Sequence, residues 1–281
     1  MPIGKILVPL MGLPVDRPAL DLAFRAGRHV DAHVAALYAA YDALSVVAEA
    51  AEAPGDAMSA ESRNRAREAR ANFDAAKASA GAPPRNRPAQ GTGFSAAFVL
   101  VNGRVDDMAA EHGRTADLTV LTLPAGQEGT LRTTVLHAAI METGKPVLLT
   151  PVESHPDPFR RIAVAWNGSA SAAQALGHAL PLLAKAEQVT VLDLKDPNVG
   201  GPPASQAAEY IGWHGVAAQV APLQVGAGKL LGPALVEATE AVGAGLLVMG
   251  AYSQSRVRRI IAGGVTRTVM ERTRIPVLMA H

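Results

Sequence analysis

The chain has 281 residues, enough for two domains of ordinary size, and its 49% hydrophobic and 18% charged residues describe a packed rather than a disordered protein. Lysine and arginine, 26, against aspartate and glutamate, 25, leave a net charge of +1, which supplies no broad field for nucleic acid or an anionic membrane surface. Cysteine is absent, which excludes disulfides, thiolate nucleophiles and thiolate metal sites, and an aromatic share of 4% means cores built from Ala, Val and Leu.

The amino-terminal "MPIGKILVPLMG" holds one lysine and a short apolar run that reads as a buried strand, shorter than the apolar stretch of a secretory signal. No run approaches the ~20 apolar residues of a membrane span, so the expectation is a cytoplasmic, unexported protein with no membrane partner. From Ile6 to Ala23 the segment "ILVPLMGLPVDRPALDLA" lies without gaps over "IAVAWNGSASAAQALGHA", Ile162 to Ala179, at a constant offset of 156. Further along, "AEAPGDAMSAESRNRAREARANFDAAKASAGAPPRNRP" predicts a long exposed helix over roughly residues 59 to 80, broken by "GAPP" and read as a solvated helix or lid. Its basic residues Arg63, Arg65, Arg67 and Arg70 are balanced by Glu61, Glu68 and Asp74, which argues against a nucleic-acid surface.

"ADLTVLTL" (116 to 123) then pairs with "AGLLVMGA" (244 to 251) at an offset of 128, and "KPVLLT" (145 to 150) with "IPVLMA" (275 to 280) at 130. The chain therefore contains two copies of one unit, the first carrying 28 extra residues, with proline-rich "ESHPDPF" as the linker and expected domains at 1–153 and 157–281. Runs such as "RIAVAW", "QVTVLDL", "LLVMG" and "PVLMA" lack polar alternation, which predicts strands buried on both faces in a parallel sheet covered by helices. Each copy reads as a doubly wound α/β unit, whose ligands sit at the carboxyl ends of the strands. The two last strands are expected to pair, since apolar edges left in water invite aggregation.

In the second copy "VAWNGSAS" places Trp166, Asn167 and Gly168 after its first strand. Asn167 offers a donor and an acceptor to a heterocycle, while the alternative is an ordinary Asn-Gly-Ser turn with Ser169 or Ser171 as helix cap. After "LLVMG" come Gly250, Ser253, the pair Gly263 and Gly264, then Val265 and Thr266, opening onto a predicted helix. Such glycines let successive N–H groups face an anion at a helix start, and Thr266 could add its hydroxyl. The alternative, that the pair only permits tight entry into the last helix, stays open. Arg256, Arg258 and Arg259 in the spacer read as solvent-facing or phosphate-neutralising. The first copy has Leu10, Met11 and Gly12 at its first strand end and no glycine pair in its late loop, so a site is expected in the second copy only. The eight histidines show no ligand constellation, and no paired carboxylates or nucleophile elbow stand near strand ends, so neither a metal site nor catalytic residues are named.

These residues resemble the universal stress protein family, in its tandem form with two domains in one chain. The element that carries the resemblance is the nucleotide motif G-x2-G-x9-G-[ST], approximated by Gly250, Ser253, Gly263 and Gly264 with Val265 and Thr266, and closed by "IPVLMAH". Ser253 stands where the second motif glycine is usual and Gly264 where a hydroxyl residue is usual. The resemblance implies two doubly wound parallel-sheet domains in tandem, Rossmann-like and similar to the adenine nucleotide alpha hydrolases, with a degenerate first domain. It also implies ATP, accompanied by Mg²⁺, in the second domain, contacted by Asn167 at the family's nucleoside-binding aspartate position and by backbone near Leu194 at the adenine edge. An intramolecular pseudo-dimer or a homodimer, and a stress-linked regulatory role without a robust catalytic cycle, complete that expectation. A slow ATPase or adenylyl-transferring enzyme, and a nucleotide-free interaction module, are the alternatives.

Overall fold

The computed structural model describes residues 2–40, 60–87, 93–124, 129–153, 157–194, 200–223, 225, 230–251 and 264–281. The chain divides into two compact units, one of Ile3–Lys145 and one built from Pro146–His281.

The first unit contains strands β1 (Lys5–Leu10), β2 (His33–Ala40), β3 (Ser95–Asn102) and β4 (Leu118–Thr122), and helices α1 (Asp16–Val30), α2 (Ala60–Ala80), α3 (Val105–Gly113) and α4 (Gly129–Glu142). The strand order is β3-β2-β1-β4, with every described pairing parallel. β1, β2 and β4 are buried along almost their whole length, as their unalternating apolar sequence requires. α1 stops at Asp31, whose left-handed backbone (φ 62°) turns the chain into β2.

The long polar helix α2 is held by one narrow apolar face. Ala69, Phe73 and Ala76 are buried at helical spacing, and the Phe73 ring meets those of Phe24 and Phe98 with centroids 6.1 and 5.7 Å away. Its flanks carry ion pairs Arg65–Glu61 and Arg70–Asp74 one turn apart, each worth only about 0.3–0.5 kcal/mol. The helix does more than face solvent. Its backbone carbonyl at Arg65 lies 2.4 Å from where a Cβ on Gly12 would stand, so α2 is seated on the loop that follows β1. Asn72 Nδ2 donates to the Leu13 carbonyl of the same loop at 3.2 Å.

The second unit contains β5 (Val147–Thr150), β6 (Arg161–Trp166), β7 (Gln188–Asp193), β8 (Ala218–Pro222), β9 (Leu246–Gly250) and β10 (Val277–Ala280), with helices α5 (Ala170–Leu183), α6 (Ala204–Trp213), α7 (Leu231–Ala241) and α8 (Gly264–Arg272). Its strand order, β5-β10-β9-β6-β7-β8, places β8-β7-β6-β9 as β3-β2-β1-β4 are placed in the first unit. This is the topological counterpart of the sequence repeat. All described pairs are parallel except β5 with β10, where Val277, Leu278 and Met279 face Leu149, Leu148 and Val147. These are the final strands of the two sequence copies, and their pairing joins β5 to the compact unit that holds β10. No described helix is long and apolar enough to cross a membrane.

Candidate functional site

In the second unit the carboxyl ends of β6, β7 and β9 bring together residues from three separate stretches. The Leu194 N–H, just past β7, donates to the Trp166 carbonyl at 2.8 Å. Any base contact at Leu194 would therefore run through its carbonyl oxygen, because its N–H is already spent. Trp166 is buried, and its indole Nε1 donates to the Pro202 carbonyl at 2.8 Å. Asn167 Oδ1 accepts the Ser169 N–H at 3.2 Å, an Asx turn, which leaves the amide nitrogen as the side chain's unspent donor among the described residues. Ser169 caps α5, its Oγ accepting the Ala172 N–H at 3.2 Å. The turn and the cap anticipated as the ordinary alternative are thus both present, and they position the Asn167 amide rather than consume it.

Gly168 has φ +79°, a conformation glycine adopts at no steric cost. Gly250, the last residue of β9, closes on the start of α5. A Cβ there would stand 2.6 Å from the Ala172 nitrogen and 2.6 Å from Ser171 Oγ, so no other residue fits without displacing the helix. Gly264 opens α8 with no described atom within 4 Å of where a Cβ would stand, and Val265 and Thr266 form the first turn. Thr266 is 5% exposed, while Thr268 rather than Thr266 bonds the Gly264 carbonyl, at 2.7 Å. Ser253 and Gly263, with Arg256, Arg258 and Arg259, lie outside the described residues.

Sequence reasoning did not single out Gly201 or Pro202. A Cβ on Gly201 would stand 2.2 Å from the Gly168 carbonyl oxygen, so the Gly200–Pro203 segment is laid directly over the turn after β6. The "GGPP" run was a readable turn signal, but its partner 33 residues upstream was not.

The first unit shows what this arrangement looks like when closed. After β1, the N–H groups of Met11, Gly12 and Leu13 all point at the Asp16 carboxylate, with Gly12 to Oδ2 at 2.8 Å and Leu13 to Oδ2 at 3.2 Å. Burial pushes the Asp16 carboxyl up from its ordinary 3.8 to about 6, against the opposing pull of these N–H groups and of Arg132. By the repeat offset, Asp16 corresponds to Ala172, which has no acid to offer. Thr122, the counterpart of Gly250, fills the cleft with its side chain, donating from Oγ1 to the Val15 carbonyl at 2.7 Å. The anion-facing turn of the first copy is satisfied by its own chain and covered by α2. In the second copy the internal acid and the cleft-filling side chain are both missing, and no described acceptor meets the N–H groups of Asn167 and Gly168.

Residues 158–281 match the Universal stress protein family. No curated protein matches the chain. Among solved structures, a universal stress protein from Archaeoglobus fulgidus DSM 4304 is 17% identical, with 98% of this chain and 95% of that chain covered and a TM-score of 0.67. A functionally unknown protein from Pseudomonas aeruginosa PAO1 is 15% identical, with coverages of 99% and 92% and a TM-score of 0.53. At these identities the likeness is one of fold. A universal stress protein in complex with cAMP is 16% identical, covering 54% of this chain and 99% of its own, with a TM-score of 0.35.

Proposed function

We propose that this chain, whose residues 158–281 match the universal stress protein family, is a member of that family and that its second unit binds an adenine nucleotide, ATP with accompanying Mg²⁺, as a stress-linked regulatory module. Nucleotide binding occurs within the family, as the cAMP complex of another member illustrates. The observation that carries the reading is the contrast between the two copies. Three N–H groups of the first copy converge on the buried Asp16 carboxylate, whereas in the matching turn of the second copy Ala172 stands in place of the acid and, of the three corresponding N–H groups, Ser169 alone has a described acceptor, Asn167 Oδ1. Turn donors left without an acid of their own are available to the acceptor atoms of a bound nucleoside, and the side-chain-free Gly250 keeps the neighbouring strand end open for its phosphates.

In this reading the phosphates lie over Gly250, Gly263, Gly264, Val265 and Thr266, with the α8 amino terminus adding its positive end. The Asn167 amide and the Gly168 backbone hold the nucleoside, Trp166 supports them from beneath, and the base edge meets backbone at Leu194. Ser253 carries a side chain at the position where the family motif has glycine. No residue near these strand ends is assigned to proton transfer or nucleophilic attack.

Calorimetric titration of nucleotide-stripped protein with MgATP tests this. Binding of modest affinity at one site per chain is expected, lost in Gly263→Val and strengthened in Ser253→Gly. Absence of heat in both the parent and Ser253→Gly would overturn the reading in favour of a nucleotide-free interaction module. Turnover of the bound ATP that disappears in Gly263→Val would favour an enzyme instead.

A further inference from the structure

We propose that the first unit carries a second binding site, at the amino ends of its strands, for a phosphate dianion, free or as the terminal group of a phosphomonoester. The site lies wholly within Ile3–Lys145 and is independent of the nucleotide reading.

Strand register builds its base. Lys5, His33 and Ser95 stand side by side at the starts of β1, β2 and β3, so the three side chains share one face of the sheet. Farther along that face the surface is closed, because Leu7, Ala35 and Leu37 are buried and Met108 of α3 packs against them. What stays open is the polar mouth of a cavity, lined by Lys5, His33, Arg85, Asn86, Arg87 and His112. Arg85 comes from the extra segment of the first copy, whose backbone adds to β3. The Arg85 N–H donates to the Ala96 carbonyl and the Ala96 N–H to the Pro83 carbonyl, both at 2.9 Å. The second copy has Arg161 beside Gln188 in the corresponding row, with neither the histidine nor the added segment.

Positive charge is gathered here without an acid to meet it. Among the described residues no carboxylate lines the cavity. The acids that flank these strands turn to backbone, Asp117 accepting the N–H groups of Gly4 and Lys5 at 2.9 and 3.0 Å, and Asp31 that of Phe94 at 2.8 Å. Burial first, then the charges of Lys5 and Arg85, hold the His33 ring below its usual pKa. Its tautomer is set as well. The Ser95 hydroxyl gives its one proton to the Gly93 carbonyl at 3.0 Å, so the 3.0 Å bond between Ser95 and His33 is donated by Nδ1–H. Nε2 is then the bare nitrogen of the neutral ring, able to accept a proton.

The occupant follows from that layout. Lys5 and Arg85 supply two positive charges, which a dianion matches. Ammonium, guanidinium and imidazole reach the cavity from three segments, and tetrahedral oxygens can meet them separately where a planar carboxylate offers only two acceptors in one plane. A dianion also opposes the charges that hold His33 down, so binding draws a proton to Nε2.

Calorimetric titration of the full chain with inorganic phosphate tests this, at constant ionic strength against chloride, above the second ionisation of phosphate, and in buffers of different ionisation heat. Saturable binding with proton uptake is expected. Arg85→Gln and Lys5→Gln, on separate segments, should each weaken it at least about tenfold, since a charge-assisted contact is lost. Unchanged circular dichroism verifies their fold, and either variant decides should the other fail to fold. His33→Gln should bind without taking up the proton. Glycerol phosphate that competes for the site assigns it to phosphomonoesters, and failure to compete assigns it to the free ion. No saturable phosphate binding, parent-level binding in the charge variants, or proton uptake that persists in His33→Gln would overturn the proposal.

Discussion

Asp16→Leu is expected to destabilise the first unit by on the order of 3 kcal/mol, while Asp16→Asn costs far less and removes a pH dependence that the parent shows. The leucine leaves the N–H groups of Met11, Gly12 and Leu13 buried without their acceptor, and each such orphaned group costs about 1–3 kcal/mol, partly offset by relief from burying a charge. Asparagine keeps an oxygen at the Oδ2 position, where the bonds from Gly12 and Leu13 end. The pH dependence follows from burial raising the Asp16 carboxyl from 3.8 to about 6. Between those values the folded protein holds a proton that the unfolded chain has released. Stability from this group is therefore full below pH 3.8 and is lost as pH rises through about 6, a change of roughly 3 kcal/mol. Both tryptophans, Trp166 and Trp213, lie in the second unit, so hydrogen exchange of the β1 and β2 amides is the suitable measurement. A parent profile that matches Asp16→Asn throughout this window would count against the account.

Gly201→Val is expected to destabilise the second unit by about 2–4 kcal/mol and to change the surroundings of Trp166. The new Cβ would stand 2.2 Å from the Gly168 oxygen and 2.9 Å from the Gly168 Cα, so backbone meets backbone and no side chain can swing aside. The Gly200–Pro203 segment must lift, and the bond from Trp166 Nε1 to the Pro202 carbonyl breaks with it. Trp213 is 82% exposed and would mask the signal, so Trp213→Phe serves as the background. In that background a red-shifted emission and a lowered unfolding midpoint are expected. Unchanged emission together with unchanged stability would show that the segment does not press on the turn after β6.

Much of the fold is legible in the sequence because it depends on local patterns. Runs such as "KILVPL" and "RIAVAW" lack alternation and so belong to strands covered on both faces, and the order in which matching segments recur in the two copies implies a shared topology before any contact is known. The strand ends carrying Asn167, Leu194 and Gly250 could be picked out because doubly wound sheets bind at those ends. α2 was readable as a helix from its Ala, Arg and Glu content, but its seat was not. Gly12 meets Arg65 across 53 residues, and nothing in either neighbourhood announces the other.

The sequence by itself determined the two repeated α/β units, their strands, and the glycines that mark the strand ends, since each is written in residues a few positions apart. Only the tertiary structure decided which copy is closed. Asp16 turns back onto three N–H groups, Thr122 fills the cleft that Gly250 leaves bare, and Gly201 presses on Gly168. The physical reason is that satisfying a buried donor, or excluding a Cβ, depends on atoms brought within about 3 Å by packing, and those atoms belong to segments whose sequences carry no mark of one another.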